Sequence, residues 1–460
     1  MTSPDTPAAL LAAPLAVIIL AAGQGTRMKS ATHKVLHPIA GKPMLLHLLD
    51  TVAALSPARE IVVVGKGREQ VEAAVLPRGV RTAFQADQLG TAHAVAQALP
   101  ALDGFDGNVL ILYGDTPFVG ADTLRSMIAR LGAPDAPGIV VLTHTPPDAG
   151  AYGRVILGAG DRVAKMVEYK DASPAERSAT LCNSGMMALS AANLRRWMPL
   201  VGNDNAAKEY YLPDLVTVAA GEGIAAVAVE GAPIEAIGIN SRAELAAAEA
   251  EWQQRRRAEM MAAGVTLIDA PSVWLAADTV IAADVTIEPN VFFGPGVTIA
   301  SGATIRGFSH IEGATIGANC EVGPFARLRP GAVMDEGAKV GNFVEMKKAR
   351  LGPGAKANHL TYLGDADVGA KANIGAGTIT CNYDGYFKYR TVIGEGAFIG
   401  SNSALVAPVT IGAGAIVGAG SVVTKDVEPD ALGIARPEQK GLAGWAKRFR
   451  GRQTAKKEIS

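Results

Sequence analysis

The chain has 460 residues, of which 49% are hydrophobic and 19% are charged, and its formal net charge is -1 at pH 7. Single hydrophobic cores stop growing at about 250–300 residues, so a chain of this length is expected to form two domains. The near-zero charge argues against broad nucleic-acid binding, which needs Lys and Arg clustered over a whole face.

The cysteines and the apolar segments indicate in which cellular compartment the protein is expected. Three cysteines, Cys182, Cys320 and Cys381, are too few and too scattered for a disulfide framework. The apolar run 8–22 looks superficially like a signal peptide, but Asp5 is the only charged side chain before it, and the run passes straight into a glycine loop. No other segment approaches the ~20 apolar residues that span a bilayer. We therefore expect a cytoplasmic protein with reduced thiols, no membrane span and an irregular start before a buried strand.

Residues 16–240 alternate β-rich runs with helical stretches. The β-rich runs are AVIIL (16–20), IVVVG (61–65), VLILYGD (109–115) and GIVVLTH (138–144), and helices are predicted around 43–55, 70–75 and 91–99. This alternation predicts a mostly parallel sheet, which binds ligands at the carboxyl ends of its strands. The loops that follow the strands are therefore the first candidates for a site.

The loop LAAGQGTRM, residues 20–28, follows the first strand. It fits neither common phosphate loop, because it lacks G-x-x-x-x-G-K-[ST] and the third glycine of G-x-G-x-x-G. Gly23 and Gly25 would let backbone N–H groups approach an anion, Arg27 adds a cation, and Lys34 is a candidate for a second one. The alternative is a tight strand-to-helix turn with a surface arginine.

Asp115 ends the strand VLILYGD, so its carboxylate is expected at the carboxyl edge of the sheet. Oxygen ligands of this kind suit Mg²⁺. The alternative is an aspartate that caps the turn before Thr116 and Pro117.

The segment SRAELAAAEAEWQQRRRAEMMAA, residues 241–263, predicts one helix that links two halves of the chain. It is rich in Ala, Glu and Arg and lacks Pro and Gly, and Gly264 is expected to end it.

A six-residue period follows the predicted helix. Apolar residues recur at Ile281, Ile287, Phe293, Ile299, Ile305 and Ile311, then after a one-residue slip at Ile316, Val322, Leu328, Met334, Val340 and Met346, and again at Ile393, Ile399, Leu405, Ile411, Val417 and Val423. Such a repeat is typical of a parallel β-helix, in which each repeat is a short strand plus a turn.

Two stretches depart from the repeat. The loop CNYDGYFKYRT, residues 381–391, replaces it with aromatic and charged residues, and is either a site or a plain solvent loop. In residues 343–365, large polar side chains interrupt small residues; these are Glu345, Lys347, His359 and Tyr362. His359 is a candidate base, and the alternative is a packing or surface histidine.

The motifs LAAGQGTRM, HKVLHPIAGKPML, QADQLGTAHA, LYGDTP and VEYKDA, in this order, resemble those of the sugar-1-phosphate nucleotidylyltransferases. With the second half, nearly the whole chain is similar to the bifunctional N-acetylglucosamine-1-phosphate uridylyltransferase/glucosamine-1-phosphate N-acetyltransferase family. The resemblance implies an α/β Rossmann-like nucleotidyltransferase domain with a mostly parallel sheet, followed by a left-handed parallel β-helix of hexapeptide repeats. The boundaries expected are 1–240, a linker helix at 241–263, a β-helix at 264–430 and a basic tail at 431–460.

The resemblance also assigns residues in the first half. Arg27 and Lys34 would hold phosphates during catalysis, and Asp115 with Asn240 would hold Mg²⁺. The residues implied to bind UTP and the sugar nucleotide are Leu20, Ala21, Ala22, Gly23, Lys34, Gln85, Gly90, Thr91, Tyr113, Gly114, Asp115, Gly153, Glu168, Asn183 and Asn240.

In the second half, the resemblance implies that His359 deprotonates the sugar amine, a step that needs a neutral imidazole. The residues implied to contact glucosamine-1-phosphate are Arg329, Lys347, Tyr362 and Asn373. Those implied to contact acetyl-CoA are Ala376, Asn382, Tyr383, Ser401, Ala419 and Arg436. The basic segment 446–457 is either a solvated end or an attractor of anionic CoA.

The reactions implied are acetyl transfer from acetyl-CoA to glucosamine-1-phosphate, then uridylyl transfer from UTP to N-acetylglucosamine-1-phosphate with release of pyrophosphate. The resemblance further implies a homotrimer and a role in making UDP-N-acetylglucosamine for cell-wall and lipopolysaccharide synthesis. Two alternatives are a single-activity nucleotidylyltransferase with a regulatory β-helix, and a non-enzymatic scaffold. The second alternative leaves Arg27, Lys34 and Asp115 without roles.

Overall fold

A computed structural model describes residues 13–459 of the chain. The irregular start predicted from the sequence falls largely on residues 1–12, which lie outside the described residues. The chain divides into two compact units, 1–252 and 253–460. Within the described part of the chain, no helix is long and apolar enough to cross a membrane.

The first unit is an α/β structure. Its strands are β1 (Leu15–Ala21), β2 (Pro38–Ile39), β3 (Lys42–Pro43), β4 (Arg59–Val64), β5 (Arg81–Phe84), β6 (Asn108–Tyr113), β7 (Ile139–His144), β8 (Arg154–Leu157), β9 (Val163–Val167), β10 (Cys182–Ser190) and β11 (Ala226–Glu230). Its helices are α1 (Met44–Ala53), α2 (Arg68–Val75), α3 (Thr91–Ala98), α4 (Ala121–Leu131), α5 (Pro174–Arg177), α6 (Ala191–Trp197), α7 (Asp214–Gly221) and the start of α8 (Arg242–Ala262). Short 3-10 turns lie at Thr26–Met28, Lys34–Leu36, Leu76–Arg78, Leu99–Leu102, Met198–Leu200 and Pro233–Ala236.

The main sheet has nine strands, with the order β11-β7-β10-β6-β1-β4-β5 and with β8 and β9 attached beside β10. The pairs β1–β4, β1–β6, β4–β5 and β7–β11 are parallel, whereas β10 is antiparallel to β6 and β7. The mostly parallel sheet predicted from the sequence is thus confirmed.

Both faces of the sheet are buried, which explains why β1 is apolar at every position. Ala16, Ile18 and Leu20 belong to one hydrophobic cluster, and Val17 and Ile19 belong to the cluster on the opposite face. A strand covered on both faces reads as a continuous apolar run rather than an alternating one. The parallel alignment brings the carboxyl ends of β1 and β6 to one edge, so that the glycine loop and Asp115 are neighbours.

The helix α8 spans Arg242–Ala262. Glu244 accepts hydrogen bonds from the backbone N–H groups of Asn240 and Ser241, at 2.6 and 2.9 Å, and the Ser241 hydroxyl accepts one from the Glu244 N–H. This reciprocal capping fixes where the helix begins. Gly264 follows its end with φ of 95°, a conformation that glycine adopts readily.

The second unit is a stack of short parallel strands. Its strands are β12 (Thr266–Leu267), β13 (Val280–Ile281), β14 (Thr286–Ile287), β15 (Phe292–Phe293), β16 (Thr298–Ile299), β17 (Thr304–Ile305), β18 (His310–Ile311), β19 (Ala314–Ile316), β20 (Glu321–Val322), β21 (Arg327–Leu328), β22 (Ala332–Met334), β23 (Lys339–Asn342), β24 (Glu345–Lys347), β25 (Arg350–Leu351), β26 (Lys356–His359), β27 (Tyr362–Gly364), β28 (Ala366–Val368), β29 (Asn373–Ile374), β30 (Ile379–Cys381), β31 (Thr391–Ile393), β32 (Phe398–Ile399), β33 (Ala404–Val406), β34 (Val409–Ile411), β35 (Ile416–Val417), β36 (Val422–Val423) and β37 (Leu432–Gly433). A 3-10 turn lies at Ala270–Ser272 and a helix, α9, at Trp445–Ile459.

These strands form three parallel sheets, which are the faces of a β-helix. The first face contains β12, β14, β17, β20, β23, β26, β29, β32, β35 and β37; the second contains β15, β18, β21, β24, β27, β30, β33 and β36; the third contains β13, β16, β19, β22, β25, β28, β31 and β34. The chain passes each coil from the first face to the second and then to the third. We call the turns after these faces the first, second and third corners.

The six-residue period runs further than the sequence pattern indicated. Between Met346 and the loop 381–391 the buried inward positions continue, at Leu351, Ala357, Leu363, Val368, Ile374 and Thr380. Two further one-residue slips, before Leu351 and before Val368, hid this continuation. The second corner contains both of these slips, the slip before Ile316 and the loop 381–391. Variation in coil length is therefore concentrated at that corner.

The segment after residue 430 contains regular secondary structure, and its residues 434–457 are exposed to solvent. Leu432–Gly433 pairs with Ile416–Val417 on the first face, and Trp445–Ile459 is helical. The helix follows from composition, because Ala, Arg, Lys and Gln are strong helix formers.

Candidate active sites

The glycine loop packs on Lys34. Gly25 has φ of 60°, and a Cβ on it would lie 2.5 Å from the Lys34 Cβ, so this position requires glycine. A Cβ on Gly23 would meet no atom within 4 Å, so a ligand has room to approach its backbone. Arg27 is exposed, and within residues 13–459 it forms no ion pair.

Lys34, Asp115 and Asn240 meet at the carboxyl edge of the sheet. The Lys34 ammonium lies 2.5 Å from Asp115 Oδ2 and 3.0 Å from Asn240 Oδ1. The side chains of Lys34 and Asp115 are only 12% and 15% exposed. These three residues are far apart in the sequence but lie next to one another in the structure.

The two oxygens that hold Lys34 fit a divalent cation. The Asn240 amide nitrogen donates to the Gly238 carbonyl at 3.1 Å, which leaves Oδ1 facing the cation position. The backbone N–H of Ile239 donates to the Asp115 carbonyl at 3.0 Å and fixes the two segments side by side. In the described part of the chain, no group of three or more His, Cys, Asp or Glu side chains could hold a metal. Two protein oxygens fit Mg²⁺, which keeps its waters and takes phosphate oxygens as further ligands.

Gln85, Gly90 and Thr91 form a second group of predicted residues. Gln85 is 3% exposed, and its side-chain nitrogen donates to the Gly90 carbonyl at 3.2 Å. Thr91 accepts a hydrogen bond from the Leu212 N–H at 3.0 Å. Burial raises the pKa of Tyr113 above its usual range, so this phenol remains neutral.

Gly153, Glu168 and Asn183 are also brought together. The Asn183 N–H donates to the Gly153 carbonyl at 2.9 Å, and a Cβ on Gly153 would lie 3.4 Å from both Glu168 carboxylate oxygens. Burial raises the pKa of Glu168, and the carboxylates of Asp171, Asp214 and Glu209 raise it further.

In the second unit, His359 lies at the first corner and is exposed. Its Nδ1 is 2.6 Å from the side-chain oxygen of Asn342, which occupies the matching position one coil earlier. An amide oxygen only accepts hydrogen bonds, so Nδ1 carries the hydrogen. The other ring nitrogen, Nε2, therefore has a free lone pair and can act as a base.

Arg329, Lys347 and Tyr362 lie on the second face and at the second corner. Arg329 donates to Glu345 at 2.8 Å, and Glu345 is the register neighbour of Tyr362. The ammonium of Lys388, in the loop 381–391, lies close to Lys347 and is the main reason that the pKa of Lys347 is lowered. Two adjacent cations with Arg329 nearby form a site suited to a phosphate.

Asn373 does not join this group. It lies on the first face, in register with Lys356 and Phe398, whereas Tyr362 lies on the second face. The four residues predicted to contact glucosamine-1-phosphate are therefore divided between two faces of one chain, with His359 at the corner between them.

The residues predicted to contact acetyl-CoA are divided in the same way. Ala376, Ser401 and Ala419 stack in one column at the first corner, and Arg436 donates to the Ala419 carbonyl at 2.5 Å. Asn382 and Tyr383 lie instead beyond the second face, in the loop 381–391, where the Asn382 amide donates to Asp365 at 2.5 Å.

Sequence reasoning missed Asn342 and Lys388. Asn342 lies 17 residues before His359, close to the length of one coil, so the repeat spacing was the signal that could have revealed it. Lys388 stands inside the loop that the sequence marked as a candidate, but nothing in the sequence pairs it with Lys347.

Comparisons with known proteins agree with this two-unit architecture. The model of the MobA-like NTP transferase domain matches residues 17–265, and the model of the bacterial transferase hexapeptide (six repeats) matches residues 390–425. A "Bifunctional protein GlmU" from Sphingopyxis alaskensis is 65% identical over 444 residues, covering 96% of this chain and 98% of that protein. Proteins of the same name from Rhizorhabdus wittichii and Zymomonas mobilis are 64% and 55% identical, each over 96% of this chain and over 98% and 99% of their own lengths.

Proposed function

The chain belongs to the family of bifunctional GlmU proteins, and from this premise we infer two transferase activities, one in each unit. It acetylates glucosamine-1-phosphate with acetyl-CoA, and it transfers uridylyl from UTP to N-acetylglucosamine-1-phosphate with release of pyrophosphate. The observation that carries the proposal is the presence, in one chain, of a lysine held by two side-chain oxygens at a sheet edge and of an oriented histidine on a β-helix.

We propose that the first unit performs uridylyl transfer at the edge formed by Lys34, Asp115 and Asn240. Asp115 and Asn240 would hold Mg²⁺, which when bound offsets negative charge on the phosphates of UTP. Lys34 and Arg27 would contact phosphate oxygens, and the backbone N–H groups after Gly23 are open to the same anion. The sugar phosphate would then attack the α-phosphorus in line, with no covalent nucleophile from the protein.

The Lys34 ammonium contacts both Asp115 Oδ2 and Asn240 Oδ1. If Asp115 and Asn240 held a divalent cation, Lys34 would be available to the phosphates of the nucleotide instead. Gly153, Glu168 and Asn183 would contact the sugar, with the Glu168 carboxylate accepting from a hydroxyl.

We propose that acetyl transfer uses His359 as general base. The Nε2 lone pair would remove a proton from the sugar ammonium or from the attacking amine, whose nitrogen forms a bond to the thioester carbon. The tetrahedral intermediate would then release CoA as a thiol, with the proton returned from the imidazolium. Asn342 would hold the neutral ring in the tautomer that leaves Nε2 free to take the proton.

The experiment for this site is His359→Ala, assayed for CoA thiol release and for pyrophosphate release in the same preparation. Loss of a general base costs about 10²–10⁴ in rate. Acetyl transfer should fall by at least the lower figure, while uridylyl transfer remains unchanged. Wild-type acetylation by this variant at saturating substrates would exclude His359 as the base and leave Glu345 as the next candidate.

We propose that three copies assemble side by side through their β-helices. The candidate acetyl-transfer residues lie on two faces of one chain, so a complete site would need the first face of one copy opposite the second face of another. A row of exposed apolar side chains at the first corner also supports an interface between copies on this side of the β-helix. Phe308, Phe325, Phe343 and Leu360 stack at the first corner of successive coils and are 47–61% exposed.

We call these four residues the apolar ladder, and their backbone conformation is energetically unfavourable. Each has a positive φ, of 50° to 60°, which is unfavourable for a non-glycine residue by roughly 1–2 kcal/mol. Other coils place Asn290 and Asn402 at the equivalent position, and Asn tolerates this conformation better. A large apolar side chain kept there against its backbone preference supports burial by a partner copy.

The double variant Phe325→Asn/Phe343→Asn tests the assembly without adding backbone strain. Light scattering should show a trimer for the wild-type chain and a smaller species for the variant, with acetyl transfer reduced and uridylyl transfer retained. A wild-type monomer at micromolar concentration would refute the trimer and any site shared between copies.

A further inference from the structure

His93 lies beside the side-chain amide of Gln85. The Gln85 nitrogen Nε2 lies 3.2 Å from the Gly90 carbonyl and 3.0 Å from His93 Nδ1. A carbonyl oxygen only accepts hydrogen bonds, so the amide must turn its nitrogen toward Gly90. With Nε2 donating to both partners, the amide oxygen of Gln85 is the atom left for a ligand.

The groups around this amide are fixed by the backbone. The Gln85 N–H donates to the Val64 carbonyl at 2.8 Å, and the side chain is 3% exposed. Gly90 has φ of 114°, and a Cβ there would meet the Tyr210 carbonyl oxygen at 2.5 Å, so this turn accepts only glycine. The direction of the Gly90 carbonyl is therefore set by the fold.

His93 supplies the second acceptor. It lies in the first turn of α3, and its Nδ1 must be unprotonated to accept from Gln85. The hydrogen of the neutral ring then sits on Nε2. The side-chain nitrogen of Gln97, 3.2 Å from Nε2, is itself a donor, so it is not a partner of this N–H; it donates instead to the His93 carbonyl at 3.1 Å. The Tyr210 ring, 6.4 Å away between centroids, flanks the imidazole.

We propose that His93 is a positioning residue that sets the preference of this enzyme for uracil over cytosine. The inference rests on the proposed function, in which Gln85 contacts the base of UTP. Uracil carries a hydrogen on N3, which can donate to the Gln85 oxygen. Cytosine has a lone pair at N3, so the same oxygen would face an acceptor and repel it. By satisfying both hydrogens of Nε2, Gly90 and His93 keep the amide from turning its nitrogen to the base.

The test compares two variants of equal size. His93→Asn can place a side-chain oxygen near the position of Nδ1, whereas His93→Leu fills the same volume without an acceptor. The measurement is the ratio of kcat/KM for UTP to kcat/KM for CTP, each with N-acetylglucosamine-1-phosphate. We expect the ratio to fall about three- to tenfold in His93→Leu, the value of one hydrogen bond, and to be largely restored in His93→Asn.

The controls separate this inference from the proposed function. His47→Leu removes another helix histidine, one that bonds the Ile39 carbonyl and has no contact with Gln85, and it should leave the ratio unchanged. Acetyl transfer should be unchanged in all three variants. A wild-type chain that shows no uridylyl transfer, or no preference for UTP, would contradict the proposed function. A wild-type preference that persists unchanged in His93→Leu would overturn the role of His93 alone.

Discussion

Replacing Asn342 by Leu tests whether orientation of the imidazole matters for acetyl transfer. The side chain of Asn342 accepts from His359 Nδ1 at 2.6 Å, and this bond selects the tautomer with a free Nε2. When Nε2 takes a proton in the transition state, the ring becomes cationic and the bond to Asn342 strengthens.

The magnitude follows from that bond. Losing a hydrogen bond to a charged group lowers a rate by about 10- to 100-fold. His359 is exposed and Asn342 is only partly buried, so solvent weakens the interaction, and we expect the lower end of this range in kcat. KM values should change less, since neither atom is left unpaired in the interior.

The matched variant is Asn342→Asp, which keeps an acceptor at the same position. It should retain kcat at alkaline pH. Its carboxylate stabilises the imidazolium, so the acid limb of its pH profile should move to higher pH. The assay is CoA release followed with a thiol reagent across pH, with pyrophosphate release as the internal control.

A wild-type kcat of Asn342→Leu at every pH, together with an impaired His359→Ala, would refute this role of Asn342. His359 would then act without the tautomer selection derived from the structure.

Three further predictions concern the first unit. Asp115→Ala should reduce uridylyl transfer by at least about a hundredfold and abolish Mn²⁺ binding measured by electron paramagnetic resonance, because one of the two protein oxygens is lost. Acetyl transfer should survive both this change and the addition of EDTA. Tight Mn²⁺ binding by the variant would show that Asp115 is not part of the metal site. Glu168 has a raised pKa, so as pH falls it should become protonated at a higher pH than an ordinary glutamic acid. In that pH range, KM for N-acetylglucosamine-1-phosphate should rise. If KM of Glu168→Gln rises equally as pH falls, the rise belongs to another titrating group. A fragment ending at Ala263 retains the whole sheet and α8, so it should keep uridylyl transfer and lose acetyl transfer; a folded fragment without uridylyl transfer would contradict two separable domains.

The architecture was predictable because its signals are periodic or local. The apolar run of β1, the glycine loop after it and the six-residue repeat each follow from the spacing of a few residue types. The two slips near Leu351 and Val368 escaped because the small Ala357 and the polar Thr380 occupy inward positions there, whereas the slip before Ile316 leads into an unbroken series of large apolar residues.

Contacts between distant segments were harder to predict. Nothing in the sequence links Lys34 to Asn240 across more than two hundred residues, and the register of β1 with β6 only brings Asp115 to the same edge. The resemblance named these residues, but the bond of Lys34 to both oxygens became visible only in three dimensions. The same holds for His93, whose role depends on a carbonyl direction that sequence does not encode locally.

The most direct test of two activities in one chain is a single reaction followed by mass spectrometry. The purified chain would receive glucosamine-1-phosphate, acetyl-CoA labelled in the acetyl group, UTP and Mg²⁺. We predict UDP-N-acetylglucosamine that carries the label, together with CoA and pyrophosphate. Formation of labelled N-acetylglucosamine-1-phosphate without any sugar nucleotide, or of no labelled product at all, would contradict the account.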